Sequence, residues 1–524
     1  MTLSLVNIGS VAGDGTGDKG QVPFTKVNAG LTYMNARPAL SVFDFMTAAQ
    51  IADVQARTLT QDVTAAINAA LSAATGPVLC PAGTYSISAP LLINTSGVSL
   101  IGAGANSAII SMRSTTQNGV VIGTGSNNPN NCFVRSLSIV AAGTQAAGIG
   151  VLIQNAHRCG ISDVVFGSTL FWSVDLEGGA QQFEYFLDHL EINGGTNGIV
   201  IGNTTQPQDV WIDHVAIASC TNAGILLIQC SGFYFSQIDI IGCLLGLVTF
   251  PAAGQSVTGG WLNTVLCDTC GQNGWHILSN GGNVTDISAV QCWGSSCGTA
   301  AAGSTLNNGL RVDQGSGQIN GLTFNDFMAV NNKGSGAILV TGSNISILNS
   351  KFYTNSQIGS AARAGIEVST GFAGFKISNT DSGAGGPFTP NLQSYGLTIG
   401  SGALNYTIAF NNFGGNVTGA LLNNSTVAVQ SRVYGNIGFN NATRFAAQVP
   451  SGQGSAGVAI AHGLSVMPAQ TDVLLQPTGN IASVGVAEYW ISATSSTTVT
   501  INTNVNTTGN LFFAVDIRTA GAQF

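Results

Sequence analysis

"LDHLEI" occupies residues 187–192 and "IDHVAI" residues 212–217. Both read apolar-x-x-apolar-x-apolar, and both put Asp-His in the two adjacent x positions, 25 residues apart. The same unit recurs as "ISDVVF" at 161, "FSQIDI" at 235, "LNTVLC" at 262 and "ISAVQC" at 287. A second unit, Gly-apolar-x-apolar, follows it in phase: "GIVI" at 198, "GILL" at 224, "GLVT" at 246, "GWHI" at 274, "GLRV" at 309, "AILV" at 337, "GIEV" at 365, "GLTI" at 396 and "GALL" at 419, at intervals of 22 to 35 residues. Alternation with period two over so few residues marks short strands, and the Gly-, Asn- and Ser-rich pieces between them supply turns. A recurrence near 25 residues marks a repeat architecture. Stacked copies pair each strand with its equivalent about 4.8 Å above and bury one apolar column after another. The expected fold is all-β: a parallel β-helix of about 13 coils from Val98 to about Gln430, roughly 60 Å long at that spacing. A β-propeller would need longer repeats of four strands each.

The composition agrees. Charged residues are only 7% of the 524, while Gly reaches 69, so solubility rests on Asn, Ser, Thr and Gln and on tight turns that accept positive φ. A net charge of -8 with only 15 Lys and Arg argues against nucleic acid or an anionic membrane as partner. The longest apolar run, "IIGCLLGLVTFPAAG" at 240–254, is broken by Gly and Pro, so membrane insertion is not expected. The first basic residue is Lys19 and no apolar stretch follows it, so no secretory signal is expected and synthesis ends in the cytoplasm. The ten cysteines are then free thiols. Cys267-x2-Cys270 with Cys292-x4-Cys297 has the spacing of a four-thiolate zinc site, but Cys220, Cys243 and Cys270 each fall three residues past the last apolar residue of a repeat and read as small side chains stacked at one corner. No metal or other cofactor is expected. Residues 60–74 place Val63, Ile67 and Leu71 on one helical face before Gly76-Pro77, which reads as a short helix capping the first coil.

The ordered set "SVFDF" at 41, this helix, "VLCPAGTYSIS" at 78–88 and "GVSLIGAG" at 97–104 resembles the opening of the pectate-lyase-like β-helix domains of bacteriophage tailspikes. Ahead of it, "GDGTGDKGQVPFTKVNAGLTYMN" at 13–35 resembles the short segment by which phage tail proteins attach to the virion. "VAIAHGLSVMPAQTDVLLQPTG" at 458–479 and the Thr-rich strands beyond it resemble a small C-terminal β-domain of tail fibres and spikes. The resemblance implies a right-handed helix, a homotrimer located on the virion tail, attachment to a tail or baseplate protein through the N-terminal segment, and binding, often with cleavage, of a bacterial surface polysaccharide. The expected organisation is an attachment segment at 1–40, a capping helix and lead-in at 41–97, the receptor-binding and catalytic β-helix at 98–447, and a β-sandwich-like domain at 448–524 for trimerisation or a secondary receptor contact. His462 in the last domain reads as a turn or core histidine.

If the apolar positions of the first unit face inward, its x positions face out. Asp188 and Asp213 then share one column, His189 and His214 the next, and Glu191 and Asp239 a third. Stacked carboxyls resist joint ionisation, which raises one of their pKa values, and an acid beside a base is what glycoside hydrolysis requires. Phe186, Trp211, Tyr234 and Trp261 precede the first apolar position in four successive units and offer faces for sugar stacking. A rival set lies on the second unit, where Asp175, His276, Arg311 and Glu367 share the variable position, with Glu177 and Asp313 two residues on. The candidate catalytic residues are therefore Asp188, Glu191, Asp213 and Asp239, or Asp313 and Glu367. Candidate substrate contacts are His189, Trp211, His214, Tyr234, Trp261, His276 and Arg311. The expected activity is endo-glycosidic hydrolysis of capsule or O-antigen. A polysaccharide lyase, which would neutralise a uronate with cations, and a purely adhesive spike are the alternatives.

Overall fold

The computed structural model describes residues 39–124, 127–179, 184–299, 306–383, 390–425, 431–437, 442–464 and 468–518. The attachment segment expected at 1–40 lies almost wholly outside them. The chain forms two compact units, one ending at Val215 and the other beginning at Ala216.

In the first unit a Ser41-capped turn, Val42–Phe45, leads into two helices, Ala48–Ala56 and Thr64–Ala73. The first was not foreseen from the sequence. It is set by a Thr47/Gln50 capping box and ended by Arg57 in the left-handed conformation, the usual chemistry of helix ends. The second buries Ile67, Ala70 and Leu71, with Val63 just ahead of it, and is tied to the coil beside it by Asn68 Nδ2 to the Pro90 carbonyl and Leu92 N–H to Asn68 Oδ1. Parallel pairing runs from Leu40–Ser41 through Val78–Cys80, Leu100–Gly102, Phe133–Ala141 and Cys159–Phe166 to Tyr185–Asn193. A second parallel set runs from Leu91–Ile93 through Val120–Ile122, Ile149–Ile153 and Trp172–Leu176 to Asn197–Ile201. The stacking thus reaches further toward the N-terminus than Val98. The fold is a parallel β-helix.

In the second unit one apolar stack is Phe235, Leu262, Ala289, Phe324, Ile347, Ile377, Ile408 and Val433, each aligned with the next and all buried. This register corrects the sequence alignment at one coil: Leu262 faces Ala289, whereas Ile287 faces Gly260. A slip of two keeps every side chain on its own face, so the hydrophobic pattern alone cannot exclude it. On the other strand Leu310 aligns with Ala337 and Leu397 with Leu421, so the repeat glycine falls at Gly336 and Ala420 is its last equivalent, each one residue from the start of the units "AILV" and "GALL". The glycine has a steric cause. A Cβ on Gly246 would stand 2.2 Å from the Gly274 carbonyl oxygen and 2.7 Å from Cys267 Sγ, far inside contact distance.

The double x of the first sequence unit is a corner. Gln237, Thr264, Gln291, Asp326, Asn349 and Asn379 occupy it on successive coils with φ between 51° and 55°, a left-handed conformation that Asn and Asp tolerate best among residues with a Cβ. A second corner is built inside. Cys220 N–H points to Cys243 Sγ, Cys297 N–H to Asn332 Oδ1, Asn332 N–H to Asn355 Oδ1 and Asn355 N–H to Gln393 Oε1. A ladder of thiols passes into a ladder of amides at one position, each bonding a buried backbone donor of the neighbouring coil. All ten cysteines are free and buried, and burial pushes the Cys80 and Cys292 thiols up to about 12.

Beyond Arg432–Tyr434 the pairing becomes antiparallel. Ala442–Val449, Leu511–Arg518 and Val473–Pro477 form one three-stranded sheet, and Val458–Ala461, Thr498–Thr503 and Tyr489–Thr494 another. Val449, Val499, Ile501, Phe513, Val515 and Ile517 form the core between them. His462 is buried here, its Nδ1 accepting from Leu464 N–H and its Nε2 facing the Ser495 carbonyl oxygen.

Candidate functional site

In the first unit His189 and His214 occupy the left-handed corner, each with φ 50°. That turn of the backbone projects both rings outward one above the other, stacked at 4.8 Å and 7°. His189 Nδ1 lies 2.7 Å from Asp188 Oδ1, His214 Nδ1 lies 2.8 Å from Asp213 Oδ2, and Asp188 Oδ1 is 4.0 Å from His214 Nδ1. Against a carboxylate each Nδ1 must carry the proton, so both imidazoles are oriented by an acid. The hydrogen bond His189 donates to Asp188, followed by the Asp188 charge, holds His189 above its ordinary pKa. The four residues are vertical neighbours, as their interval implies, but each carboxylate bonds its own histidine rather than the other carboxylate. Trp211, 42% exposed, lies on the same strand as Asp213, and Phe186 is half-buried on the strand of Asp188. Glu191 is exposed and accepts from Asn193 Nδ2.

In the second unit Tyr234 and Trp261 align on adjacent strands with their rings stacked at 4.9 Å and 6°, and Trp261 is 51% exposed. Asp239 is half-buried, and its carboxyl is raised by burial and then by the Asp268 charge. It belongs to the unit after that of Glu191.

The second strand set holds its candidates in different surroundings. In the first unit Asp175 stands between Leu152 and Val200 in a buried outer column. It is 3% exposed, its Oδ1 has no hydrogen-bond partner, and burial with the Glu177 charge pushes its carboxyl up to about 8. Glu177 is buried too, but accepts from Thr204 N–H, Thr205 N–H and the Thr205 hydroxyl. In the second unit His276 aligns with Arg311. Burial, then the Arg311 charge, lowers the His276 imidazole to about 4, and Arg311 pairs with Asp313 at 2.7 Å. His276 is buried rather than presented to a substrate.

Glu367 stands elsewhere. It aligns with Ile338 on one side and Thr398 on the other, two coils from Arg311, and it lines a cleft of about 880 Å³ with Arg363, Ser369, Tyr395, Thr398 and Asn424. Its carboxylate, 18% exposed, is fixed by Arg363 at 3.3 Å and by Ala364 N–H at 3.1 Å. Asp313 is two coils away on the same strand set and does not line the cleft. The cleft itself was missed from sequence. Its signal is a run of hydroxyl side chains at outward positions near 369, 398 and 418, which reads equally well as solvated surface.

Residues 57–248 match the family described as rhamnogalacturonase A/epimerase, pectate lyase-like. Among solved structures, tailspike protein 3 of bacteriophage CBA120 is 12% identical over 82% of this chain and 65% of its own, with a TM-score of 0.54. A variant tailspike of E. coli bacteriophage HK620 in complex with a pentasaccharide is 11% identical over 92% and 94%, TM-score 0.54. The chain has the parallel β-helix fold of phage tailspikes. Tailspike protein gp49 of Pseudomonas phage LKA1 shares that tailspike fold too, with 12% identity over 91% and 98% and a TM-score of 0.53. A search of curated proteins by sequence finds no match. Among the described residues no helix is long and apolar enough to cross a membrane.

Proposed function

We infer that the protein is a phage tailspike that binds and hydrolyses a bacterial surface polysaccharide, with the chain seated in the cleft of the second unit. The reading is carried by one observation: an oriented carboxylate, Glu367, in the wall of an 880 Å³ cleft lined by hydroxyl and amide groups. Such groups pair with sugar hydroxyls, and a cleft of that volume holds a few sugar rings. Glu367 acts as the base that activates water. Asp313, two coils away, is paired with Arg311 and stands outside the cleft, so Glu367 is the one carboxylate assigned a role here. The Tyr234–Trp261 stack provides a further sugar platform in the same unit. The protein is carried on the virion as a homotrimer, attached through its N-terminal segment. Elimination is the second reading, favoured by Arg363, which is 38% exposed in the cleft and could neutralise a uronate.

The test is a reducing-end assay on a panel of purified capsules and O-antigens. Hydrolysis gives new reducing ends without an unsaturated chromophore, and Glu367→Gln lowers the rate at least a hundredfold while the polysaccharide is still bound. An unsaturated product establishes the lyase, and binding without new ends establishes an adhesive spike. Normal cleavage by Glu367→Gln refutes the cleft as the catalytic site and turns attention to Asp188, Glu191 and Asp213.

A further inference from the structure

We propose that Asp188, His189 and His214 form a binding site for a transition-metal dication of the zinc class, clamped between two adjacent coils of the first unit. The proposal does not depend on where polysaccharide is cleaved. One donor atom from each of the three residues lies within 4.8 Å of the other two, and among the described residues no other His, Cys, Asp or Glu set converges in this way. The donor set decides the ion. Two imidazoles with one carboxylate suit Zn²⁺, Ni²⁺ and Cu²⁺, whereas Ca²⁺ and Mg²⁺ take all-oxygen shells.

Pre-organisation comes from the backbone. Both histidines sit at the same left-handed corner of consecutive coils, so the strand spacing itself sets their rings 4.8 Å apart. Asp213 holds the proton of His214 on Nδ1, leaving Nε2 with its lone pair toward solvent, the carboxylate-histidine arrangement common behind metal ligands. The side chains of Asp188, His189 and His214 are 47%, 58% and 42% exposed. Drawing their donors onto one ion exchanges the Asp188–His189 hydrogen bond for metal bonds and rotates side chains that are already solvated. A water completes the tetrahedron.

Isothermal titration of the full chain with Zn²⁺ tests this, with Ca²⁺ and Mg²⁺ as controls. Cu²⁺ supplies an optical readout, because Trp211 lies two residues before Asp213 on the same strand and its fluorescence should be quenched. The variants are His189→Asn and His214→Asn, since Asn keeps the left-handed corner that Ala would strain. The expected result is one Zn²⁺ per chain, no comparable heat with Ca²⁺, at least a tenfold weaker affinity in each single variant, and loss of the site in the double variant. Retention of Zn²⁺ affinity and stoichiometry by the double variant overturns the proposal, as does equal binding of Ca²⁺, or no Zn²⁺ heat at millimolar concentration. Asp188→Asn with unchanged Zn²⁺ affinity removes the carboxylate from the ligand set and overturns the three-residue site as stated. Thermal unfolding of each variant without metal checks that its fold is retained.

Discussion

Replacing Asp175 by Asn should stabilise the protein above neutral pH and change little in mild acid. Asp175 lies in a buried column with Val121, Leu152 and Val200, and its carboxyl is raised from 3.8 to about 8 by burial and by Glu177. An acid whose folded pKa exceeds its unfolded one holds a proton that unfolding releases, so the native state loses stability as pH rises from about 4 to about 8. Each unit is about 1.4 kcal/mol, which makes the cost on the order of 4 kcal/mol at pH 7. From pH 5 to pH 8 the cost grows by about 4 kcal/mol in all. Asn fills the same space and does not titrate. Its amide has the same shortage of partners, a penalty of about 1–3 kcal/mol that is constant with pH. The gap between variant and wild type therefore widens with pH whatever that constant is. Guanidinium unfolding at pH 5, 6, 7 and 8 measures it as a midpoint difference at equal slope. A gap that stays within about 1 kcal/mol across this range refutes the argument, because Asp175 would then be charged and solvated in the native state.

Two further outcomes concern the second unit. His276, lowered by burial to about 4 from 6.5, stays neutral where the unfolded chain takes a proton, so it removes about 3 kcal/mol as pH falls from 6.5 to 4; His276→Gln should flatten acid unfolding measured over that interval. Asn355 Oδ1 accepts from both the N–H and the Nδ2 of Asn332, so Asn355→Ala orphans two buried donors and should cost about 3 kcal/mol in denaturant unfolding, with hydrogen exchange accelerated first at Asn332.

The β-helix was legible because stacking forces like residues into columns, and columns appear in sequence as recurrence. The Asp-His pairs at 188 and 213 were recognisable as neighbours for the same reason. What recurrence could not supply was register, since a slip of two at Ile287 leaves the pattern intact, or the corner role of His189, which looks in sequence like one more outward position. Nor could it separate Asp175, packed between Leu152 and Val200, from Glu367, open to a cleft, although both hold the same place in the repeat. Burial of an outward-facing residue depends on loops that vary from coil to coil. The helix Ala48–Ala56 is marked chiefly by its ends, the Thr47/Gln50 capping box and the left-handed Arg57, and no Gly-Pro stop follows it as one follows the helix Thr64–Ala73.

The thiol and amide corner has a consequence for how such a chain can change length. Each rung donates its backbone N–H to an acceptor on the turn above it and offers a side-chain acceptor to the turn below, and Cys and Asn satisfy that requirement interchangeably. A stretch running from one rung to its successor is therefore a self-contained cassette. Excising or duplicating it returns every remaining polar group to an equivalent neighbour, whereas gaining or losing a single residue inside a strand turns its whole apolar row to the wrong side.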